Sequence, residues 1–227
     1  MSAAEVTFLF DVDNTLLDND RIVEDLRRHL RTALGAEAER RYFAIFEHRR
    51  EELGYADYLG TLQRYREENP RDPHILSLSA YLIDYPFASR LFPGALEVIE
   101  HVSASGPAVI LSDGDVVFQP RKVARAGLLD ACQGRALIYI HKEQELDDVE
   151  QRFPSRHYVL VDDKVRILSA VKASWGERVT TVFPRQGHYA LDPAVVAAYP
   201  TPDVTVEHIA DLREHDRDSL VAAARHR

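Results

Sequence analysis

Val6-Thr-Phe-Leu-Phe-Asp11-Val-Asp13-Asn-Thr15-Leu-Leu17 is the stretch that decides the fold. Val6 to Phe10 is a continuous apolar and β-branched run, the pattern of a strand covered on both faces. Two carboxylates follow at once, Asp11 and Asp13, then Asn14 and Thr15. In an open α/β sheet ligands sit at the carboxyl ends of strands, so chemistry is expected here. Two acids one residue apart repel unless a cation or a shared proton offsets them. The competing reading is a plain Asx-rich turn leaving the strand, and the rest of the chain decides between the two.

The chain has 227 residues, 45% of them hydrophobic, enough for one domain or one plus a smaller one. A formal net charge of −9 argues against sequence-independent nucleic-acid binding, which needs a basic face. The one cysteine, Cys132, rules out an internal disulfide framework and makes the reducing cytoplasm the expected compartment. Cys132 is expected to be a small buried hydrophobe. Glu5 interrupts a weakly apolar start, so no signal peptide is expected. No apolar run approaches the ~20 residues of a membrane span.

Residues 18–89 change in character. Arg21–Leu34, Glu37–Leu53, Tyr55–Glu68 and His74–Tyr85 mix apolar and charged residues at helical spacing, with Ile22, Leu26, Leu30 and Leu34 four apart. Gly35, Gly54 and Asn69-Pro-Arg-Asp-Pro73 punctuate the run. This predicts a four-helix insertion that contains arginines but no lysine. Tyr42, Phe43, Phe46, Tyr55, Tyr58 and Tyr65 are expected to fill its core.

From Leu91 onward an α/β alternation resumes. Strands are predicted at Pro107–Leu111, Ala136–Ile140, His157–Val161, Val179–Phe183 and Asp203–Val206. Helices are predicted at Ala95–Ser103, from about Pro120 to Gly127, at Glu143–Arg152 and at Val165–Ser174. The tail from Asp216 to Arg227 reads as helical or frayed. Strands alternating with helices imply a parallel sheet with right-handed crossovers.

The strands ending at Asp11, Ser112, Lys142 and Asp162-Asp163 place their polar residues at one sheet edge, and the set is chemically complete. A carboxylate can attack phosphorus. A second acid two residues on can protonate the leaving oxygen and then activate water. A further carboxylate pair can complete an oxygen site for Mg²⁺, and a hydroxyl and an ammonium can hold phosphoryl oxygens.

Asp11-Val-Asp13-Asn-Thr15 after one strand, Ser112 after another, then a lysine and Val161-Asp162-Asp163 resemble the haloacid dehalogenase superfamily across its whole core. The resemblance implies a Rossmann-like core, residues 1–17 and 90–227, with residues 18–89 as an α-helical cap. It implies Asp11 as nucleophile, Asp13 as acid/base and Thr15 steadying the first loop. Phosphate would be bound by Ser112, Lys142 and the backbone N–H groups of Asp113 and Gly114. Mg²⁺ would be held by Asp11, the backbone carbonyl of Asp13 and Asp163, with Asp162 reaching it through water.

The superfamily includes dehalogenases, phosphonatases, mutases and phosphatases. Asp13 speaks against the dehalogenase branch, which lacks that acid, and the lysine-free insertion speaks against a phosphonatase, which uses a cap lysine. Hydrolysis of a small phosphorylated metabolite is the expected activity, with a phosphomutase and a non-catalytic binding protein of the same fold as alternatives. Lys122 and Lys164 lie on predicted helices and are expected to be solvated, and His141 and His188 are expected to be loop residues. Arg49 and Arg90 are candidate substrate contacts.

Overall fold

The computed structural model describes residues 3–224. Six strands, β1 (Ala4–Phe10), β2 (Ala108–Asp113), β3 (Ala136–Tyr139), β4 (Ser155–Val161), β5 (Val179–Pro184) and β6 (Val204–Val206), form one sheet. Their order is β3-β2-β1-β4-β5-β6 and every neighbouring pair is parallel. The strand period of two explains the burial on both faces. Val6, Phe8 and Phe10 of β1, with Val159 and Val161 of β4, enter one hydrophobic cluster. Leu9, Tyr158 and Leu160 point the other way into a second.

Four helices are inserted between β1 and β2: α1 (Asn19–Leu34), α2 (Ala36–Leu53), α3 (Tyr58–Glu68) and α4 (Ile75–Asp84). Asp18 caps α1 by accepting the Arg21 N–H. Gly54 ends α2 at φ 79°, a left-handed position that suits glycine. Ile22, Leu26 and Leu30 form the buried stripe of α1. Tyr42, Phe43, Phe46, Tyr58 and Tyr65 are buried as expected, but Tyr55 is only half-buried. The reason is local: the Asp57 carboxylate caps the Gly60 N–H and starts α3 at Tyr58, leaving Tyr55 in the connecting loop.

The apolar interior of the insertion is continuous with the cluster beneath β1. The two chain crossings are also tied to each other, because Asp18 donates its N–H to the Arg90 carbonyl and Phe92 donates to that of Leu16.

The remaining helices are α5 (Ala95–Ser103), α6 (Phe118–Arg125), α7 (Leu128–Ala131), α8 (Leu146–Arg152), α9 (Val165–Trp175), α10 (Gly187–Ala190), α11 (Pro193–Ala197) and α12 (Arg217–Ala223). The helix expected from Glu143 begins instead at Leu146, after a 3-10 turn at Lys142–Gln144. Short α10 and α11 occupy a stretch where no helix was predicted. The predicted tail is helical over α12, with Arg225 to Arg227 outside the described residues. Among the described residues no helix is long and apolar enough to cross a membrane.

Leu160 is fully buried in β4, next to the central strand. Leu160→Ala is expected to lower stability by about 2–5 kcal/mol through lost burial and a residual cavity, measured as a shift of the urea midpoint at unchanged m-value.

Candidate active site

β1 runs between β2 and β4, so the residues following these three strands meet at one edge. Asp11 follows β1, Ser112 lies near the end of β2, and Asp162 and Asp163 follow β4. Asp11, Ser112, Lys142, Asp162 and Asp163 are all buried. Lys142 reaches them from the 3-10 turn after β3. Its Nζ lies 2.5 Å from Asp11 Oδ1 and donates to the Leu111 carbonyl at 3.2 Å. It also sits 2.7 Å from Asp162 Oδ2, an ion pair whose direction falls short of a hydrogen bond.

Hydroxyls and backbone amides fix the rest. Ser112 Oγ lies 3.5 Å from Asp11 Oδ1. Thr15 Oγ1 accepts the Asp163 N–H at 3.0 Å and approaches Asp11 Oδ2 at 3.4 Å, so it ties the loop after β1 to the loop after β4. Asp162 Oδ1 accepts the Lys164 N–H at 2.8 Å. The Asp113 carboxylate accepts the Lys142 N–H at 2.7 Å and so anchors the backbone that carries the ammonium. Gly114 donates its N–H to the Tyr139 carbonyl, which takes that amide away from the expected phosphate contact.

One atom pair stands apart. Both carboxylate oxygens of Asp163 are buried and have no hydrogen-bond partner. A buried carboxylate without donors is costly unless it is protonated or bound to a cation. Asp11, Asp162 and Asp163 each offer an oxygen within 4.8 Å of the others. An all-oxygen set of this kind fits a hard divalent ion. The fit favours Asp163 over Asp162 as the direct ligand, since Asp162 is already engaged by Lys142 and the Lys164 N–H.

Burial pushes the Asp162 carboxyl up to about 6, against the lowering pull of Lys142. Burial raises Asp163 well above the usual carboxylate range. Burial alone would lower the Lys142 ammonium, but the charges of Asp11, Asp162 and Asp113 hold it above the ordinary lysine value. Lys164 is raised in the same sense: Asp163, Asp11 and Asp162 outweigh its desolvation.

Two lysines expected in solvent are at the site instead. Lys122 of α6 is 0% exposed and donates to both Asp13 oxygens, at 2.7 and 2.9 Å. Lys164 is half-buried just before α9, beside the carboxylate group. Helical location was a poor guide to solvation because α6 lays one face against the strand ends. Gln119, one turn before Lys122 on α6, is also buried and donates to Ser112 Oγ at 3.0 Å. A β-carbon at Gly114 would lie 2.6 Å from Gln119 Cβ, so glycine there makes room for that support. The spacing of Gln119 and Lys122 was the signal available in the sequence.

The candidate arginines are engaged elsewhere: Arg90 pairs with Asp25 and Tyr85, and Arg49 with Asp57. His188, expected in a loop, lies instead on short α10, and it contacts Asp20 through both its N–H and its ring. His141 lies against Gly54. Cys132 is fully buried and burial pushes its thiol up to about 12, as for an inert core cysteine.

The haloacid dehalogenase-like hydrolase family model matches residues 6–174. A haloacid dehalogenase-like hydrolase of Burkholderia xenovorans LB400 is 61% identical over 96% of this chain and 99% of its own, with a TM-score of 0.91. The magnesium-bound HAD-hydrolase YfnB of Bacillus subtilis is 16% identical, with coverages of 93% and 98% and a TM-score of 0.60. An L-2-haloacid dehalogenase of Xanthobacter autotrophicus, with chloropropionic acid covalently bound, is 17% identical, with coverages of 92% and 96% and a TM-score of 0.60. The last two share the fold. No curated protein matches the chain.

A cation held by Asp11, Asp162 and Asp163 would compete with protons. Between the ordinary carboxylate value of 3.8 and about 6 the folded chain holds a proton on Asp162 more tightly than the unfolded chain does. Metal-free stability therefore falls as pH rises through that window. Added Mg²⁺ is expected to raise the unfolding temperature by several degrees at pH 7.5 and by much less at pH 5. Asp163→Asn is expected to remove the shift, as read by differential scanning fluorimetry. An Mg²⁺ shift that is equal at both pH values would contradict the scheme.

Proposed function

The chain belongs to the haloacid dehalogenase-like hydrolases, and we propose that within this family it hydrolyses the phosphate monoester of a small metabolite through an aspartyl-phosphate on Asp11. The observation that carries this reading is the placement of Asp13. Its carboxylate is 23% exposed, while Asp11, two residues earlier, and Asp162 and Asp163 are buried. A half-open acid next to a closed nucleophile suits proton transfer to a leaving oxygen that departs toward solvent. A halide leaving group needs no such proton.

In the first half-reaction an Asp11 oxygen attacks phosphorus, the bond to the ester oxygen breaks, and Asp13 protonates the departing alkoxide. In the second, Asp13 takes a proton from water as that water attacks phosphorus, which frees inorganic phosphate and regenerates the Asp11 carboxylate. Ser112 Oγ and Lys142 Nζ, both already beside Asp11 Oδ1, would bind the phosphoryl oxygens. Thr15 steadies the loop and Asp113 holds Lys142 in place. Asp11, Asp163 and the Asp13 carbonyl would hold Mg²⁺, with Asp162 reaching it through water. When bound, the ion supplies positive charge that neutralises phosphoryl oxygens.

Helices α1–α4 would form the cap. Access would change by movement about residues 17–19 and 89–93, the two crossings. A cap beside the site would restrict access and so favour a small ester over a phosphoprotein or nucleic acid. The inert thiol suits the cytoplasm as its compartment.

With Mg²⁺, the protein is expected to release phosphate from p-nitrophenyl phosphate and no chloride from L-2-chloropropionate. Asp11→Asn is expected to lower phosphate release by at least about 10³-fold, as for loss of a nucleophile. Chloride release at a higher rate than phosphate release would replace this reading with dehalogenation.

A further inference from the structure

The proposed hydrolysis has no assigned role for Lys122, a fully buried cation outside the recognised set of site residues. Its ammonium donates to Asp13 Oδ1 at 2.7 Å, to Asp13 Oδ2 at 2.9 Å and to Asn19 Oδ1 at 3.3 Å. The rings of Phe118 and Tyr58 stand 5.4 and 5.8 Å from Nζ. Those two rings pack on each other at 5.0 Å, one from α6 and one from α3 of the insertion. Asn19 continues the chain by donating weakly to Tyr58 Oη at 3.5 Å.

Stability does not explain this arrangement. Desolvating an ammonium is costly, and a buried ion pair often stabilises no better than well-packed apolar residues of the same volume. What the pair does provide is direction. A carboxylate gripped through both oxygens keeps a single orientation, whereas an aspartate on a turn would otherwise choose among rotamers. The same helix face carries Gln119, which holds Ser112 Oγ. Thus α6 supports two groups of the site from behind, one at each end of a single helical turn.

We propose that Lys122 is a positioning residue for Asp13: it fixes the carboxylate that exchanges protons with the leaving oxygen, and closure of α3 over α6 shields that contact from water. This rests on the phosphate-ester reading given above. Lys122 acts through Asp13 and not on the substrate, since among the described residues its hydrogen bonds go to Asp13 and Asn19.

The test compares kcat and KM of the full-length protein with Mg²⁺ on p-nitrophenyl phosphate, a good leaving group, and on phenyl phosphate, a poor one. Lys122→Met is expected to lower kcat on phenyl phosphate at least about tenfold more than on the nitrophenyl ester, because proton donation matters most for a poor leaving group. KM is expected to stay within about threefold, as for an interaction made mainly in the transition state. In the Asp13→Asn background, adding Lys122→Met is expected to change neither rate by more than about twofold, the mark of residues acting as a unit.

The double variant buries no unpaired charge, and in its Asp13→Asn reference the side-chain amide oxygen still accepts from the Lys122 ammonium, so this comparison decides the matter even if Lys122→Met alone fails to fold. Equal losses on both esters, a raised KM, or a further tenfold loss in the double variant would overturn the assignment while leaving the hydrolase intact. A wild-type protein that releases phosphate from neither ester would overturn both together.

Discussion

The packing of carboxylates at the end of β1 and β4 is the constraint to which the rest of the molecule answers. Asp11, Asp162 and Asp163 are brought within 4.8 Å by two adjacent parallel strands. Mutual repulsion among them, in a buried site, would open the loops unless opposite charge were supplied. Lys142 supplies part of it, bridging Asp11 and Asp162 from the turn after β3. The hydrogen bond from the Asp163 N–H to Thr15 Oγ1 adds no charge but fixes the distance between the two loops. Asp113 then fixes Lys142 from its backbone side. Each of these supports comes from a different strand end, so the strand order is what makes the site possible.

Much of this was legible in the sequence, because a strand covered on both faces announces itself as an unbroken apolar run and its polar terminus follows at once. Val6–Phe10 before Asp11 and His157–Val161 before Asp162 are such cases, and Lys142 was separable from other lysines by its place after a strand. What was not legible lay on helices. Apolar periodicity identifies the face of α6 that packs through Phe118 and Val123, but it assigns polar residues to solvent by default. Lys122 and Gln119 break that default because the neighbouring surface is the site itself, with acceptors waiting on Asp13 and Ser112. The same default failed for Lys164. Arg90 and Arg49 failed in the opposite sense: acidic partners inside the insertion, Asp25 and Asp57, claim guanidinium groups that sequence alone leaves free.

The insertion is not a separately packed body laid over the sheet. Tyr58 and Phe46 belong to the same apolar cluster as Phe8 and Phe10, and Phe118 of α6 touches both Tyr58 and Phe87. Polar ties add direction to this contact. Asn14, at φ 61°, accepts the N–H groups of Asn19 and Asp20 at the start of α1. Asp20 in turn accepts from the His188 backbone on α10, and Gly187 beside it has no room for a β-carbon against Asn14. The turn that carries Asp13, the proposed acid/base, is therefore also the socket into which the first insertion helix is fixed. Any movement of α1 is transmitted to residues next to Asp13 through hydrogen bonds that involve the motif itself.

Charge accounting around the site points in the same direction as its geometry. Asp11, Asp13, Asp113, Asp162 and Asp163 face Lys122, Lys142 and Lys164, so five carboxylates meet three ammonium groups. Two negative charges are left without a partner when all are ionised. Protons can fill the gap, and the raised values of Asp162 and Asp163 show where they would go. A divalent cation fills it with one particle, and it does so where Asp163 has no other donor. Protons on these acids would remove the ligands themselves, so the two solutions exclude each other. A site with this deficit suits a doubly charged ion, and with one bound it would admit the anionic substrate proposed above, which the carboxylates alone would repel.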